Sequence, residues 1–209
     1  MYRHNARIKI PGAFYMFIIN IYVLVIKRAF DLFVSILLVP LFVLIFFPVA
    51  FAIKFNSKGS VIYKSKKIGR NLVEFDMYKF RTMNMGSEML GGYSTNVGDP
   101  RVTKVGAFLR KYSLDELPQI FNVIKGQMSL IGPRPDVIKQ AKEIYTREEL
   151  LHRQRVLPGI TGLAQSRNRH GLSIDHRKRY DFFYVDHVNF MLDLKIMLWT
   201  IKTLYKKSY

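Results

Sequence analysis

Asp115 and Glu116 are adjacent carboxylates in a chain otherwise rich in cations. Arg110 and Lys111 precede them, and Ile131-Gly-Pro-Arg-Pro follows after a short apolar segment. Prolines on both sides of Arg134 hold the local backbone extended. That fixes the direction of a guanidinium able to grip a phosphate through two parallel hydrogen bonds. Upstream, Tyr78-Lys-Phe-Arg-Thr-Met sets Lys79 and Arg81 two residues apart, so a strand there would aim both the same way. Carboxylates among several cations suit a site for a diphosphate and a divalent metal. With Asp115 as the N-cap of a helix, Pro118 falls in the first turn, where its missing N–H costs nothing. The helix dipole would then keep Asp115 ionised, as a nucleophile requires. A plainer alternative stands beside this one. Ser113 and Glu116 have the spacing of a capping box, and the pair would then only close a helix end.

The elements that must position these residues divide into two sorts. Of 209 residues 49% are hydrophobic although 33 are Lys or Arg, so the apolar residues must be segregated. Most crowd between Ala13 and Phe55. Ala13–Ile26 is too short to span a bilayer comfortably. Leu32–Ile53 is uncharged throughout and long enough to cross at ~1.5 Å per residue. Pro40 and Pro48 should bend or break a helix there. Lys27 and Arg28 before the segment and Lys54 and Lys58 after it leave charge asymmetry nothing to choose between. A helix that enters one leaflet and leaves on the same side satisfies both facts; a Pro-kinked span is the alternative. The division expected is an apolar extension over 1–26, a membrane helix over 27–55 and a catalytic domain over 56–209.

Beyond Phe55 the pattern is that of a small α+β domain, mainly helical. Val61–Tyr63 and Val73–Phe80 are β-prone with a turn at Gly69-Arg-Asn71, which predicts a hairpin. The stretch 86–100 reads as a loop. Pro118–Ile124 has helical spacing and a stop at Gly126. Thr146-Arg-Glu-Glu opens a helix with a capping box, 157–162 reads as a turn, and helices follow over about 173–188 and 191–205. Interfacial amphipathic helices would rest this domain on the bilayer. The net charge of +18 predicts attraction to a polyanion. No helix-turn-helix, RNP or zinc-finger pattern points to nucleic acid, so anionic membrane lipid and a phosphorylated substrate are the partners expected. The rival classes are a membrane-anchored nucleic-acid-binding protein and a non-catalytic scaffold.

Six motifs stand in one order: Lys27-Arg28-x-x-Asp31, Tyr78-Lys-Phe-Arg-Thr-Met83, Ser113-Leu-Asp-Glu-Leu-Pro-Gln119, Gly126-Gln-Met-Ser-Leu-Ile-Gly-Pro-Arg-Pro135, Pro158-Gly-Ile-Thr-Gly162 and Leu192-Asp-Leu-Lys195. The chain thereby resembles the bacterial sugar transferase family, the monotopic polyprenyl-phosphate phosphoglycosyl transferases, over about Lys27–Lys206, and in size it looks like the minimal members. The resemblance implies a location at the bacterial cytoplasmic membrane with the catalytic domain on the cytoplasmic side. It also implies initiation of a surface glycan. Asp115 matches the nucleophile that attacks the β-phosphate of a UDP-sugar and expels UMP. Polyprenyl phosphate then discharges the aspartyl phosphosugar. Glu116 matches the partner carboxylate at a Mg2+ site, and Lys79, Arg110, Arg134 and Asp193 match polar positions of the active site. Two departures stand out. The proline that usually breaks the membrane helix aligns with Leu44, between Pro40 and Pro48. The loop after Gly162 reads Ala164-Gln-Ser-Arg-Asn-Arg169, in which Arg169 still aligns as a substrate contact.

Other residues read as structural. His152, His170, His176 and His187 lack metal-ligand spacing and are expected on the surface or in loops. Lys64, Lys66, Lys67, Lys206 and Lys207 read as leaflet contacts. Tyr180, Phe182, Phe183 and Tyr184 read as core or interface rings. A homo-oligomer through the apolar first segment is compatible with the pattern.

Overall fold

The structure, a computed structural model, describes residues 21–87, 98–167 and 172–207. Its longest element is helix α1, Lys27–Asn56, entered through a π-helical turn at Tyr22–Ile26. The described part of the first apolar segment therefore runs straight on into the second. Helical geometry also continues through Pro40 and Pro48, so of the expected bend or break, the break does not occur. Each proline forfeits one backbone bond, and local adjustment within an otherwise bonded helix absorbs the loss. Phe42, between the two prolines, stacks on Phe80 at 6.0 Å and meets Phe121 edge-on at 5.0 Å. Packing thus holds the segment where the ladder is weakest. Leu37, Leu44, Phe47 and Phe51 remain exposed on the other side. Among the described residues this is the one helix long and apolar enough to cross a membrane.

Both ends of α1 are fastened to the same globular body. At the first end Lys27 Nζ lies 2.7 Å from Asp193 Oδ2, and Asp31 Oδ1 accepts from the Leu130 N–H at 3.1 Å. Arg28 donates to the carbonyls of Val123 and Ile124 at 2.6 and 3.0 Å, which closes the C-terminus of a short helix with a cation. At the other end Ile53 is buried with Phe80 and Leu109, and Arg81 donates to the carbonyls of Ser57 and Lys58.

Strands β1 (Ile62–Ile68) and β2 (Glu74–Phe80) pair antiparallel, with Tyr63 opposite Lys79, Ser65 opposite Met77 and Lys67 opposite Phe75. The expected turn is present, with Asn71 and Leu72 at φ 54 and 63. β1 is longer than its β-prone core suggested, because residues 64–68 continue the pairing with β2. Asn122 serves as a surrogate partner for β2: its Oδ1 accepts from the Tyr78 N–H at 2.9 Å, and its Nδ2 donates to the Asp76 carbonyl at 2.7 Å.

Helix α2 (Lys104–Lys111), capped by Thr103, was not anticipated. Leu114–Gln119 then winds as a 3-10 turn into α3 (Ile120–Ile124), which stops at Gly126 with φ 77. Strands β3 (Ser129–Ile131) and β4 (Gly159–Thr161) pair in parallel, where a simple turn was expected at the second. Gly132 and Gly159 explain the contact: a Cβ on either would collide with the other strand's backbone. Between these strands lie α4 (Ile138–Ile144) and α5 (Arg147–Arg153), the latter opened by the expected capping box of Thr146 and Glu149. Helices α6 (Leu163–Arg167), α7 (Ile174–His187) and α8 (Phe190–Lys207) complete a mainly helical α+β chain. Tyr184, Val188 and Ile196 form the core beneath α7 and α8, while Phe108, Phe183, Phe190, Leu198 and Ile201 are exposed.

Candidate active site

β2 delivers Lys79, the 3-10 turn delivers Asp115 and Glu116, and the loop after β3 delivers Arg134. Lys79 Nζ lies 3.0 Å from Glu116 Oε1 and 3.7 Å from Asp115 Oδ2. Arg134 donates to the same Glu116 oxygen at 2.8 Å. Ser113 adopts the left-handed conformation, φ 58, and makes no side-chain cap. Asp115 is therefore inside the first turn rather than at its N-cap, and the capping-box reading of Ser113 and Glu116 is corrected. The Glu116 carboxylate is turned away from the helix end toward two cations.

The two carboxylates are tuned in opposite directions. Burial pushes the Asp115 carboxyl above its ordinary range; Lys79 opposes that and the Glu116 charge adds to it. This differs from the ionisation by a helix dipole expected from the sequence: burial outweighs whatever the short helical segment over 114–124 supplies. Burial works against the Glu116 charge too, yet Arg134 and Lys79 overcome it and hold that carboxyl well below its usual range. Arg110, half-buried, reaches Asp115 through space and is steadied by its Nε donating to Thr82 Oγ1 at 2.9 Å.

Two expected contacts, Arg81 and Asp193, are not part of this group. Arg81 follows the end of β2, where its guanidinium turns to the Ser57 and Lys58 carbonyls. It braces the exit of α1. Asp193 accepts from Lys27 Nζ, Tyr22 Oη and Tyr184 Oη, each at 2.7 Å, a closed buried knot far in role from the carboxylate pair. Arg169 lies outside the described residues. His152 also departs from expectation: it is buried, with Nε2 3.0 Å from Asp186 Oδ1, because the last turn of α5 packs it edge-on against Phe182.

Lys67, read from the sequence as a leaflet contact, is corrected to a neighbour of the site, beside Arg134 and Lys79. It shares with Lys79 the face of the hairpin that carries Phe75 and Met77 into the core, whereas Lys66 pairs with Asp76 on the open face. Period-2 alternation was the available signal. Among the described residues Lys67 has no hydrogen bond or ion pair, and burial together with Arg134 and Lys79 moves its amine from 10.5 down to about 8. The unfolded chain thus holds more protons between about 8 and 10.5, so this group costs stability below that window and ceases to cost it as pH rises through it. Lys67→Met is expected to raise the melting temperature at pH 7 and to weaken binding of a diphosphate ligand roughly tenfold, about 1.4 kcal/mol. Unchanged ligand affinity would remove Lys67 from the site.

Lys67, Lys79, Arg110 and Arg134 around two carboxylates leave an excess of positive charge suited to a diphosphate. Asp115 and Glu116 are the carboxylates that this group would offer a metal ion. They fit Mg2+, which is commonly held by one or two carboxylates and completes its octahedron with waters and substrate phosphate oxygens.

Comparison with known proteins finds relatives along most of the chain. The family model described as bacterial sugar transferase matches residues 22–207. A UDP-N-acetylgalactosamine-undecaprenyl-phosphate N-acetylgalactosaminephosphotransferase of Aeromonas hydrophila is 36% identical over 200 residues, covering 93% of this chain and 45% of the relative. An undecaprenyl-phosphate glucose phosphotransferase of Komagataeibacter xylinus is 40% identical over 190 residues, covering 84% and 35%. The exopolysaccharide production protein ExoY of Rhizobium meliloti is 39% identical over 190 residues, covering 84% and 83%. The chain thus spans less than half the length of the first two.

Proposed function

The chain belongs to the bacterial sugar transferase family, and on that premise we propose that it transfers a sugar phosphate from a UDP-sugar to polyprenyl phosphate, beginning assembly of a surface glycan. The observation that carries the reading is a buried carboxylate, Asp115, beside a second carboxylate already neutralised by Lys79 and Arg134. The names of two relatives, which specify undecaprenyl phosphate as acceptor, support it.

In this mechanism Lys79, Arg110 and Arg134 grip the diphosphate and Lys67 adds charge at its edge. Ionised Asp115 attacks the β-phosphorus; a P–O bond to its carboxylate forms as the bond to UMP breaks, and UMP leaves as an anion. An oxygen of polyprenyl phosphate then attacks the same phosphorus and returns Asp115 as carboxylate. Neither displacement needs a general acid or base, so charge neutralisation is the main demand. Mg2+ held by Glu116 and Asp115 would supply further neutralisation of the phosphate oxygens. The test is UMP release from a panel of UDP-sugars in detergent. About one equivalent should appear without acceptor, and turnover should follow when polyprenyl phosphate is added. Absence of UMP release across the panel, with acceptor present, would sink the reading.

The fastening of α1 at both ends to one body supports insertion into one leaflet without crossing, with the catalytic domain on the cytoplasmic side of the inner membrane. The exposed rings Phe108, Phe183 and Phe190 suit interfacial contact and the surplus of lysines suits anionic lipid. Single cysteines at positions 5 and 58 should react alike with an impermeant thiol reagent. Labelling from opposite sides of the membrane would refute the non-crossing arrangement.

A further inference from the structure

A cavity of about 300 Å³ adjoins the carboxylate pair and shares Glu116 and Arg134 with it. That size is at the small end of ligand pockets, ~300–1,000 Å³. Its walls come from α1 through Leu38, from the 3-10 turn through Leu114 and Leu117, and from β3 and β4 through Leu130 and Ile160. Leu38 is the informative member. It belongs to the helix whose neighbouring Leu37 and Leu41 stand exposed, so the cavity runs from the apolar outer face of that helix to the cations of the site.

The threonines of the remaining wall add little polarity. Thr161 Oγ1 and Thr200 Oγ1 bond to each other at 2.8 Å, and Thr200 Oγ1 also donates to the Ile196 carbonyl. Thr203 Oγ1 donates to the Trp199 carbonyl at 2.8 Å. With those hydroxyl protons engaged, the threonines keep only acceptor lone pairs for an occupant, and Tyr112 and Ser113 complete the polar part of the wall. Gln165 Oε1 is buried against Gly162, sealed from the space. A sugar or a nucleoside would leave most of its hydroxyls facing hydrocarbon there, at a cost of ~1–3 kcal/mol for each group left unsatisfied. A chain that is apolar along its length and anionic at one end meets no such penalty.

We infer that this cavity is the acceptor subsite, holding the phosphate-proximal isoprene units of the lipid with its phosphate turned to Arg134. The inference rests on the polyprenyl-phosphate reading above and adds the route by which the acceptor arrives: sideways from the bilayer, past Leu38. The donor's diphosphate occupies the cation cluster on the other side of the carboxylates, so the two substrates use Arg134 in turn.

The test separates the two half-reactions. Decyl phosphate, an acceptor-like amphiphile, should compete with polyprenyl phosphate in turnover by the wild-type protein. Leu38→Trp and, from the opposite wall, Ile160→Phe should each keep the acceptor-free UMP burst and raise the KM for polyprenyl phosphate by roughly tenfold, a loss of ~1.4 kcal/mol. Decyl phosphate should inhibit both variants correspondingly less. If Leu38→Trp and Ile160→Phe instead weaken the burst by raising the KM for UDP-sugar, the cavity belongs to the donor and the inference is overturned. It is equally overturned if decyl phosphate does not compete with polyprenyl phosphate. A wild-type protein with neither burst nor turnover would count against the proposed function itself, a different result from any of these.

Discussion

Asp115→Asn is expected to abolish the UMP burst and the covalent adduct while raising the melting temperature of the free protein. The chemical half follows from replacing a nucleophile by a near-isosteric amide, with turnover falling on the order of a thousandfold or more. The stability half follows from burial. Burial raises the carboxyl of Asp115 in the folded chain above its ordinary value of 3.8, so between that value and the raised one the folded state holds more protons than the unfolded. Stability contributed by this group is present below that window and declines as pH rises through it. At neutral pH the charge is a cost that the amide does not carry. Glu116→Gln should behave in the opposite sense. The Glu116 carboxyl is held below 4.5, chiefly by Arg134 and Lys79 against burial; its stabilising effect is present above 4.5 and fades as pH falls below that. Losing it leaves two cations facing each other without their shared counter-charge. Intact mass after incubation with UDP-sugar, and melting curves at pH 7, read both halves. An Asn variant that keeps the adduct moves the nucleophile elsewhere; an Asn variant that keeps both its stability and its turnover restores the capping role, since Asn caps about as well as Asp.

The parts of this chain that were legible beforehand are those whose signals are local. The capping box of Thr146 and Glu149 and the long helices near the C-terminus are written within a few residues, and so is the turn of the hairpin. Strands β3 and β4 are three residues each and pair across 27 intervening residues (132–158). Pro158-Gly159 reads as a turn until the partner backbone that needs Gly159 is known. The left-handed Ser113 likewise has no sequence signature, so the pair Asp115 and Glu116 was placed correctly in the chain and wrongly on the helix. Lys79 and Arg134 meet Glu116 as expected. Arg81 does not, because β2 ends at Phe80 and strand alternation ends with it. Asp193 shows the limit of motif matching: its order in the chain is right, but three donors from distant segments enclose it.

Arg153→Met is expected to cost about 3–5 kcal/mol of folding stability, the usual penalty for leaving buried charge without its partner. Arg153 is 0% exposed. Its Nε donates to Asp181 Oδ2 at 2.9 Å, and one terminal nitrogen donates to the Arg134 carbonyl at 2.7 Å. The other terminal nitrogen lies 3.3 Å from Asp136 Oδ2; it forms an ion pair there without the angle of a hydrogen bond. Methionine matches the stem of the side chain and removes all of these, leaving Arg177 alone with Asp136 and Asp181. At ~2–4 °C per kcal/mol for a chain of this size, the melting temperature should fall by roughly 6–20 °C. The loss should shrink in acid, because burial already pushes the Asp181 carboxyl up against the pull of Arg153. Without that pull it takes a proton more readily and the unpaired charge disappears. Arg153→Met with Asp181→Asn should therefore recover part of the stability at pH 7. Function should suffer by a separate route, since the Arg134 backbone loses the donor that holds it beside Glu116. The phosphate grip then loosens, and the KM for UDP-sugar should rise in the double variant even where stability has returned. A double variant restored in both stability and KM would show that the prolines flanking Arg134 position it unaided, and that the buried network serves the fold alone.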